Sequence, residues 1–338
     1  MAFDESTLRA DAQGGANPPG GLIPEDAANT IIKEATESSA VMRLARRLPN
    51  MSRAQRRLPV LSALPTAYFV NAEQNPSDTR HKRTTKMEWD DVFIDAEEIA
   101  VIAPVPENVL ADSAFDIWGE MRPAIAEAIG LAFDRAVLYG DNAPNVWPDS
   151  LVEQINDANH AVPVGSVGTD LYDDLLGEGG VISFVEEDGY MVNGHLAKLT
   201  MRAKLRGLRD ANTGVPIFTT DLRDRQTYAL DGSELLFPRN GSFVPSDDYE
   251  LISGDWSRLV FAVRQDITWK LLDQAVITDP TDGNSIVYNL AQQDMVALRV
   301  VFRAGWALPN PVNRVNPTEA TRLPFAALAP ASESESSS

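Results

Sequence analysis

The sequence predicts an α+β fold in two parts, with an extended arm and a projecting hairpin attached. Three features carry that prediction: a long amphipathic helix between Asp112 and Tyr139, two strand-like runs around a polar tip between Arg57 and Pro106, and an alternating strand between Met295 and Ala307. The 338 residues are 44% hydrophobic and 23% charged, enough for a substantial core, and the length suggests roughly two domains. Composition excludes several classes at once. No run approaches the roughly 18 apolar residues of a membrane span, and the acidic start MAFDES lacks the basic and apolar regions of a signal peptide. With no cysteine, disulfides and thiolate chemistry are ruled out.

Taken in order, residues 1 to about 22 are polar and rich in Gly, Ala and Pro, too poor in apolar surface to order alone, and are expected to form an extended arm. A short helix from Asp26 to Ser38 follows, with Ala28, Ile31, Ile32 and Ala35 along one face. That helix runs into an arginine-rich segment, Arg43 to Arg57. Residues 57–106 read as a long hairpin: LPVLSALPTAYFVN, a polar tip AEQNPSDTRHKRTTK, and MEWDDVFIDAEEIAVIAPVP, in which Ile99, Val101, Ala103 and Val105 keep period two. So long a tip without structure of its own is uncommon in a compact domain and calls for support from outside the chain.

The helix at 112–139 is the spine of the reading. Trp118, Met121, Ile125, Ala128 or Ile129, Ala132 and Ala136 make an apolar stripe, while Glu120, Arg122, Glu127, Asp134 and Arg135 are assigned to solvent. Ser113 is placed as its cap and Gly140 as its left-handed stop. Pro123 is expected to kink the first two turns or to delay the regular helix. Roughly 27 residues at 1.5 Å each span about 40 Å, the width of a small domain.

Residues 142–170 read as loop-rich, and Asp170 to Asp188 as an acidic helix pair broken at Gly177, Gly179 and Gly180. Tyr190 to Asn193 reads as a strand, and Gly194 to Arg209 as a helix burying Leu196, Leu199, Ala203 and Leu205 or Leu208, with Lys198, Arg202, Lys204, Arg206 and Arg209 outside and His195 at its start. Asp255 to Val276 reads as a strand pair turning at Arg264 to Asp266. Between Met295 and Ala307, Val296, Leu298, Val300 and Phe302 alternate with Arg299 and Arg303. Beyond Pro309 the chain thins into a tail ending ASESESSS, which is expected to be disordered.

The formal charge is −20, which disfavours an unspecific hold on nucleic acid by the whole surface. Its distribution says more. Residues 38–86 hold ten cations, Arg43, Arg46, Arg47, Arg53, Arg56, Arg57, Arg80, Lys82, Arg83 and Lys86, against Glu73 and Asp78, so this segment carries +8 and the remainder −28. These ten are the candidate intersubunit contacts, a basic arm of one copy on the acidic body of the next. No catalytic, cofactor or metal site is legible. His81, His160 and His195 lack metal spacing and no phosphate-loop or nucleophile-elbow pattern occurs. Acid pairs such as Glu186 and Glu187 or Asp247 and Asp248 read as solvated turns. The arginines lack the interleaved aromatics of a nucleic-acid site.

The order of elements resembles the major capsid proteins of tailed double-stranded DNA phages, with the Hong Kong 97-type fold, from about Leu22 to about Asn316. The carriers are LIPEDAANTIIKEATESSAVMRLARRLPN, EEIAVIAPVPENVLADS, DRAVLYGD, MVNGHLAKLTMRAKLRGLRDANTG, LISGDWSRLVFAVRQDITWKLL and QDMVALRVVFRAGWALPNP, in that order. The resemblance implies an N-terminal arm (1–56), an extended hairpin loop lying across the adjacent subunit (57–106), a peripheral domain with the spine helix (107–190, resumed at 256–316), an axial domain (191–255) and a C-terminal tail (317–338). It further implies hexamers and pentamers in an icosahedral virion shell around double-stranded DNA held without sequence specificity. A separate scaffolding protein, a portal and a decoration protein are implied partners, with assembly in the bacterial host cytoplasm and no membrane. Some relatives join subunits by a lysine–asparagine isopeptide bond; Lys82, Lys86, Asn310, Asn313 and Asn316 are the residue types required, but no spacing singles them out. An encapsulin-like nanocompartment shell with an enzyme cargo is the alternative on the same fold.

Overall fold

A computed structural model describes residues 39–67, 84–112, 117–168, 170–208, 229–243, 249–279 and 285–331. The expected helix at Asp26–Ser38, the Ser113 cap, the hairpin tip as far as Arg83 and the tail from Ser332 onward lie outside these.

Strands β2 (Gln55–Ala63) and β3 (Glu88–Asp95) pair antiparallel from Gln55↔Asp95 to Ala63↔Glu88, so the hairpin forms as expected. Its returning run is divided at Ala96. Past that residue, β4 (Glu97–Pro106) leaves the ribbon and pairs with β13 (Met295–Ala307) in a four-stranded sheet of order β1-β10-β13-β4, where β1 is Arg46–Arg47 and β10 is Val260–Leu272. Val105 is buried and the even-numbered Glu98, Ala100 and Ile102 are exposed, as period two requires. The hairpin root is seated on Gly305 of β13: a Cβ there would lie 2.2 Å from the Asp95 carbonyl oxygen, so only glycine fits.

Helix α1 (Ala40–Leu44) precedes β1, α2 (Glu107–Asp112) follows β4, and the spine α3 spans Ile117–Tyr139. The spine starts before Pro123 and runs through it, and stops at Gly140, whose φ of 74° is the left-handed conformation expected there. Ile125, Ile129, Phe133 and Val137 pack on Phe261, Val263, Leu298, Val300 and Trp306 of the four-stranded sheet. Phe133 meets Trp147 and Phe261 edge-on, at 5.9 and 6.2 Å between ring centroids. Two stripe assignments are corrected: Ala132 is exposed, and Asp134 is fully buried. Helical spacing separates polar from apolar residues but cannot register a polar side chain that is buried because it has partners.

The second sheet has six strands in the order β5-β14-β9-β6-β8-β7, drawn from Ala161–Pro163 (β5), Gly194–Ala197 (β6), Ala229–Leu230 (β7), Ser233–Leu236 (β8), Leu251–Gly254 (β9) and Phe325–Ala329 (β14). One face, with Leu196, Ile252, Phe325 and Ala327, joins the spine core. The other, with Ala197, Leu235, Leu251 and Leu328, is covered by α5 (Leu171–Leu176), α6 (Val181–Glu187) and α7 (Met201–Gly207) through Leu175, Val181, Val185, Met201 and Leu205. A last pair, β11 (Val276–Thr278) and β12 (Ile286–Asn289), stands as its own hairpin.

Elsewhere the structure departs from the sequence expectations. Helix α4 (Leu151–Asp157) occupies the run read as loop; Ser150 caps it, accepting from the Glu153 amide at 3.3 Å while Glu153 accepts from the Ser150 amide at 2.9 Å. The strand expected at Tyr190–Asn193 begins instead at Gly194, and the helix expected from Gly194 begins at Met201; Leu199 and Ala203 are exposed and Lys198 is buried. Residues 260–272 form one strand with register shifts between Val263 and Thr268, a bulge rather than a turn. The expected tail contains β14, whose Phe325, Ala326, Ala327 and Leu328 are fully buried.

Candidate assembly surface

Where the arm meets the body, one carboxylate does the anchoring. Asp134, on the buried side of the spine, accepts from Ser39 Oγ (2.5 Å), the Ala40 amide (2.9 Å), the Val41 amide (3.2 Å) and Asn240 Nδ2 (3.1 Å). Ser39 in turn accepts from the Met42 amide at 3.0 Å and caps α1. Burial pushes the Asp134 carboxyl up to about 6, although those four hydrogen bonds pull it down. The start of α1 at Ser39–Val41 is thereby fixed to the spine and to the loop at Asn240.

The ten predicted contact residues divide. Arg43 pairs with Glu234 of β8 at a half-exposed site, and Arg57 Nε donates to Asp91 across the hairpin at 2.6 Å. Arg56 donates to the Pro49 carbonyl at 2.7 Å, and Arg47 to Asn50 Oδ1 at 3.2 Å. Arg46, Arg53 and Lys86 are exposed with no ion pair among the described residues. Arg80, Lys82 and Arg83 lie outside the described residues. Local contacts thus occupy part of the basic segment, and exposed pairs of this kind add little stability.

What the sequence reading passed over is the apolar side of the same hairpin. On one face of β3 and the residues leading into it, Met87, Trp89 and Phe93 are 52%, 65% and 45% exposed, an unusual concentration of large apolar side chains at the surface. The signal was present as MEWDDVF, but a half-buried ribbon gives the same letters. Beside the hairpin root a cleft of about 370 Å³ lies among Val92, Phe93, Trp147 and Leu308.

Behind the sheet, a polar clip fixes the chain before β14. Asp188 accepts from Asn316 Nδ2 (2.7 Å) and the Leu323 amide (2.6 Å), and buried Arg322 donates to Asn310 and to the Asn316 carbonyl. Asn313 Nδ2 donates to the Asp188 carbonyl at 2.6 Å. All three asparagine amides are therefore occupied inside the subunit. His195 is not a helix-start residue but lies in β6, fully buried, with Nε2 donating to the Leu230 carbonyl (3.1 Å) and Nδ1 accepting from Ser253 Oγ (2.7 Å); burial pushes it down to about 4. Among the described residues no group of three His, Asp or Glu is placed to hold a metal ion, and no helix is long and apolar enough to cross a membrane.

Comparison with known proteins places this geometry. The phage capsid family model matches residues 20–313. The major capsid protein of Staphylococcus phage 80alpha is 27% identical over 282 residues, covering 83% of this chain and 80% of that protein. Among solved structures, a chain from Microbacterium phage Oxtober96 superposes with a TM-score of 0.74 at 35% identity over 95% of this chain and 98% of that one. Another, from Mycobacterium phage Bobi, gives 0.71 at 33% identity over 92% and 99%. The α+β architecture is the Hong Kong 97-type fold.

Proposed function

The chain belongs to the phage capsid family, and from that premise we propose that it is the structural subunit of an icosahedral virion shell, assembling into hexamers and pentamers around double-stranded DNA. One observation carries the mechanism: a two-stranded hairpin on the rigid spine and sheet body leaves Met87, Trp89 and Phe93 52%, 65% and 45% exposed among the described residues. A ribbon of two strands is marginal alone, and its surface is matched to a neighbour in a repeating array. In this reading the hairpin of β2 and β3 within 57–106 is the extended loop, 107–190 and 256–316 form the peripheral domain together with β4, and 191–255 the axial domain, which also takes in β5 and β14. The ten cations act between copies, with Arg43 and Arg57 contributing least because they already have acidic partners.

The protein acts by geometry rather than catalysis. A scaffolding protein, the portal and a decoration protein are its proposed partners, and the host cytoplasm its place of assembly. The relatives named above are phage proteins, which does not favour the nanocompartment alternative. Cryo-electron microscopy of native particles, with an assay for nuclease-protected nucleic acid, tests the reading: closed shells holding duplex DNA are expected, and a small oligomer under all conditions overturns it. Deleting Glu73–Lys86 is expected to leave a soluble fold that no longer closes shells.

A further inference from the structure

We propose that Lys270 and Arg299, on the outer face of the four-stranded sheet, receive Glu88 and Asp90 from the hairpin of a second copy. The inference rests on the shell reading above and names the residues through which the hairpin would hold its neighbour.

The four-stranded sheet carries a local misfit. In the register of the sheet Lys270 lies directly opposite Arg299, and Arg299 opposite Ile102. Like charges facing each other across two strands are destabilising, yet neither has an ion pair among the described residues and both are exposed. The nearby Arg303 has Glu98 to itself, so that acid is not shared. Side-chain alternation puts Trp269, Leu298 and Val300 on the other face, where they join the spine core. Lys270, Arg299 and Ile102, the last 45% exposed, therefore form a cationic rung with an apolar end on the side away from the spine.

The hairpin holds the complementary group. Glu88 and Asp90 alternate with Trp89, so they share the ribbon face opposite the indole, and both are exposed. Across β2 they face Ala63 and Val60, which offer no cation. Two residues apart along a strand they stand about 7 Å from one another, and the two cations about 5 Å apart across the ladder, a spacing that long flexible stems match. Asp91, in contrast, is already taken by Arg57. Within one copy the acid pair and the cation pair make no ion pair with each other. A contact in which each copy gives its acids to one neighbour and takes acids from another is head-to-tail, and such contacts form rings where the rotation from copy to copy closes. Single exposed ion pairs are weak, but four charges meeting in one patch and repeated in every copy set register and partner choice.

Charge exchange in the full-length chain tests this. K270E/R299E and E88K/D90K are each expected to lower the yield of sedimenting shells by about tenfold or more, and the four-residue exchange to restore it, all with the thermal melt of the parent. Parent yield from either double variant overturns the pairing, as does failure of the exchange to restore shells in a chain that folds. Shells that form from K270E/R299E but no longer fill with DNA also overturn it, and assign this face to the packaged nucleic acid. The Glu73–Lys86 deletion separates the two readings. If it closes normal shells, the hairpin reading itself fails; if it does not, while K270E/R299E assembles normally, only the pairing fails.

Discussion

Asp134 sits in the core as an anion at neutral pH, held by four donors, two of them the first amides of α1. Asp134→Ala leaves those donors buried without an acceptor and is expected to cost about 2–4 kcal/mol, with new protease cleavage around residues 39–44 as the specific sign. The pH dependence has a definite direction. The folded carboxyl titrates at about 6, above its ordinary 3.8, so its contribution is fully present below 3.8 and lost as pH rises through 6; acidifying from pH 7 to 5 gains about 1 kcal/mol from this residue. His195 has the reverse slope. Held down to about 4 from 6.5, it contributes stability that is present above 6.5 and lost as pH falls, about 3 kcal/mol by pH 4. Urea midpoints at pH 5, 6 and 7 should therefore show Asp134→Ala falling more steeply with acid than the parent, and His195→Gln less steeply. Neither residue was legible from the sequence: Asp134 had the spacing of a solvated position and His195 lay in a run that read as helix, and both were moved inside by partners far away in the chain.

At the scale of elements, legibility followed length. The spine and β13 were readable because many residues repeat one period, and the hairpin because two runs flank a polar tip. Strand β6 was not, since four residues, Gly194–Ala197, cannot establish a period against the leucines that follow. Helix α4 carried a readable signal, Ser150 followed by Glu153, masked by the prolines and asparagines around it. Removing that cap with Ser150→Ala is expected to cost about 1 kcal/mol, measured as a lower melting temperature. A heavier effect is expected at the hairpin root. Any side chain at 305 collides with the Asp95 carbonyl, so Gly305→Val should lift the root, and hydrogen exchange at Ile94 to Ala96 should speed up while that of the spine core stays slow.

For the whole molecule, the fold class and the shell-forming family were visible in the order of six sequence segments, whereas the six-stranded sheet was not. Each of its strands is two to five residues long, and none is recognisable apart from its neighbours. Its key piece is β14, which pairs Ala327 with Ala161 on one side and with Ile252 on the other. Phe325→Ala, at a ring that meets Trp256 edge-on at 5.1 Å, is expected to cost about 3–5 kcal/mol and to divert the chain to aggregates, read as loss of the soluble fraction. The position of β14 also sets a clock. Contacts between distant parts of a chain form slowly, because loop closure must precede any gain from pairing. A subunit therefore reaches its assembling shape through a unimolecular step whose rate does not depend on how many other subunits surround it. Refolding followed by Trp256 fluorescence at several protein concentrations is therefore expected to show one shared rate for the seating of Phe325 against that indole.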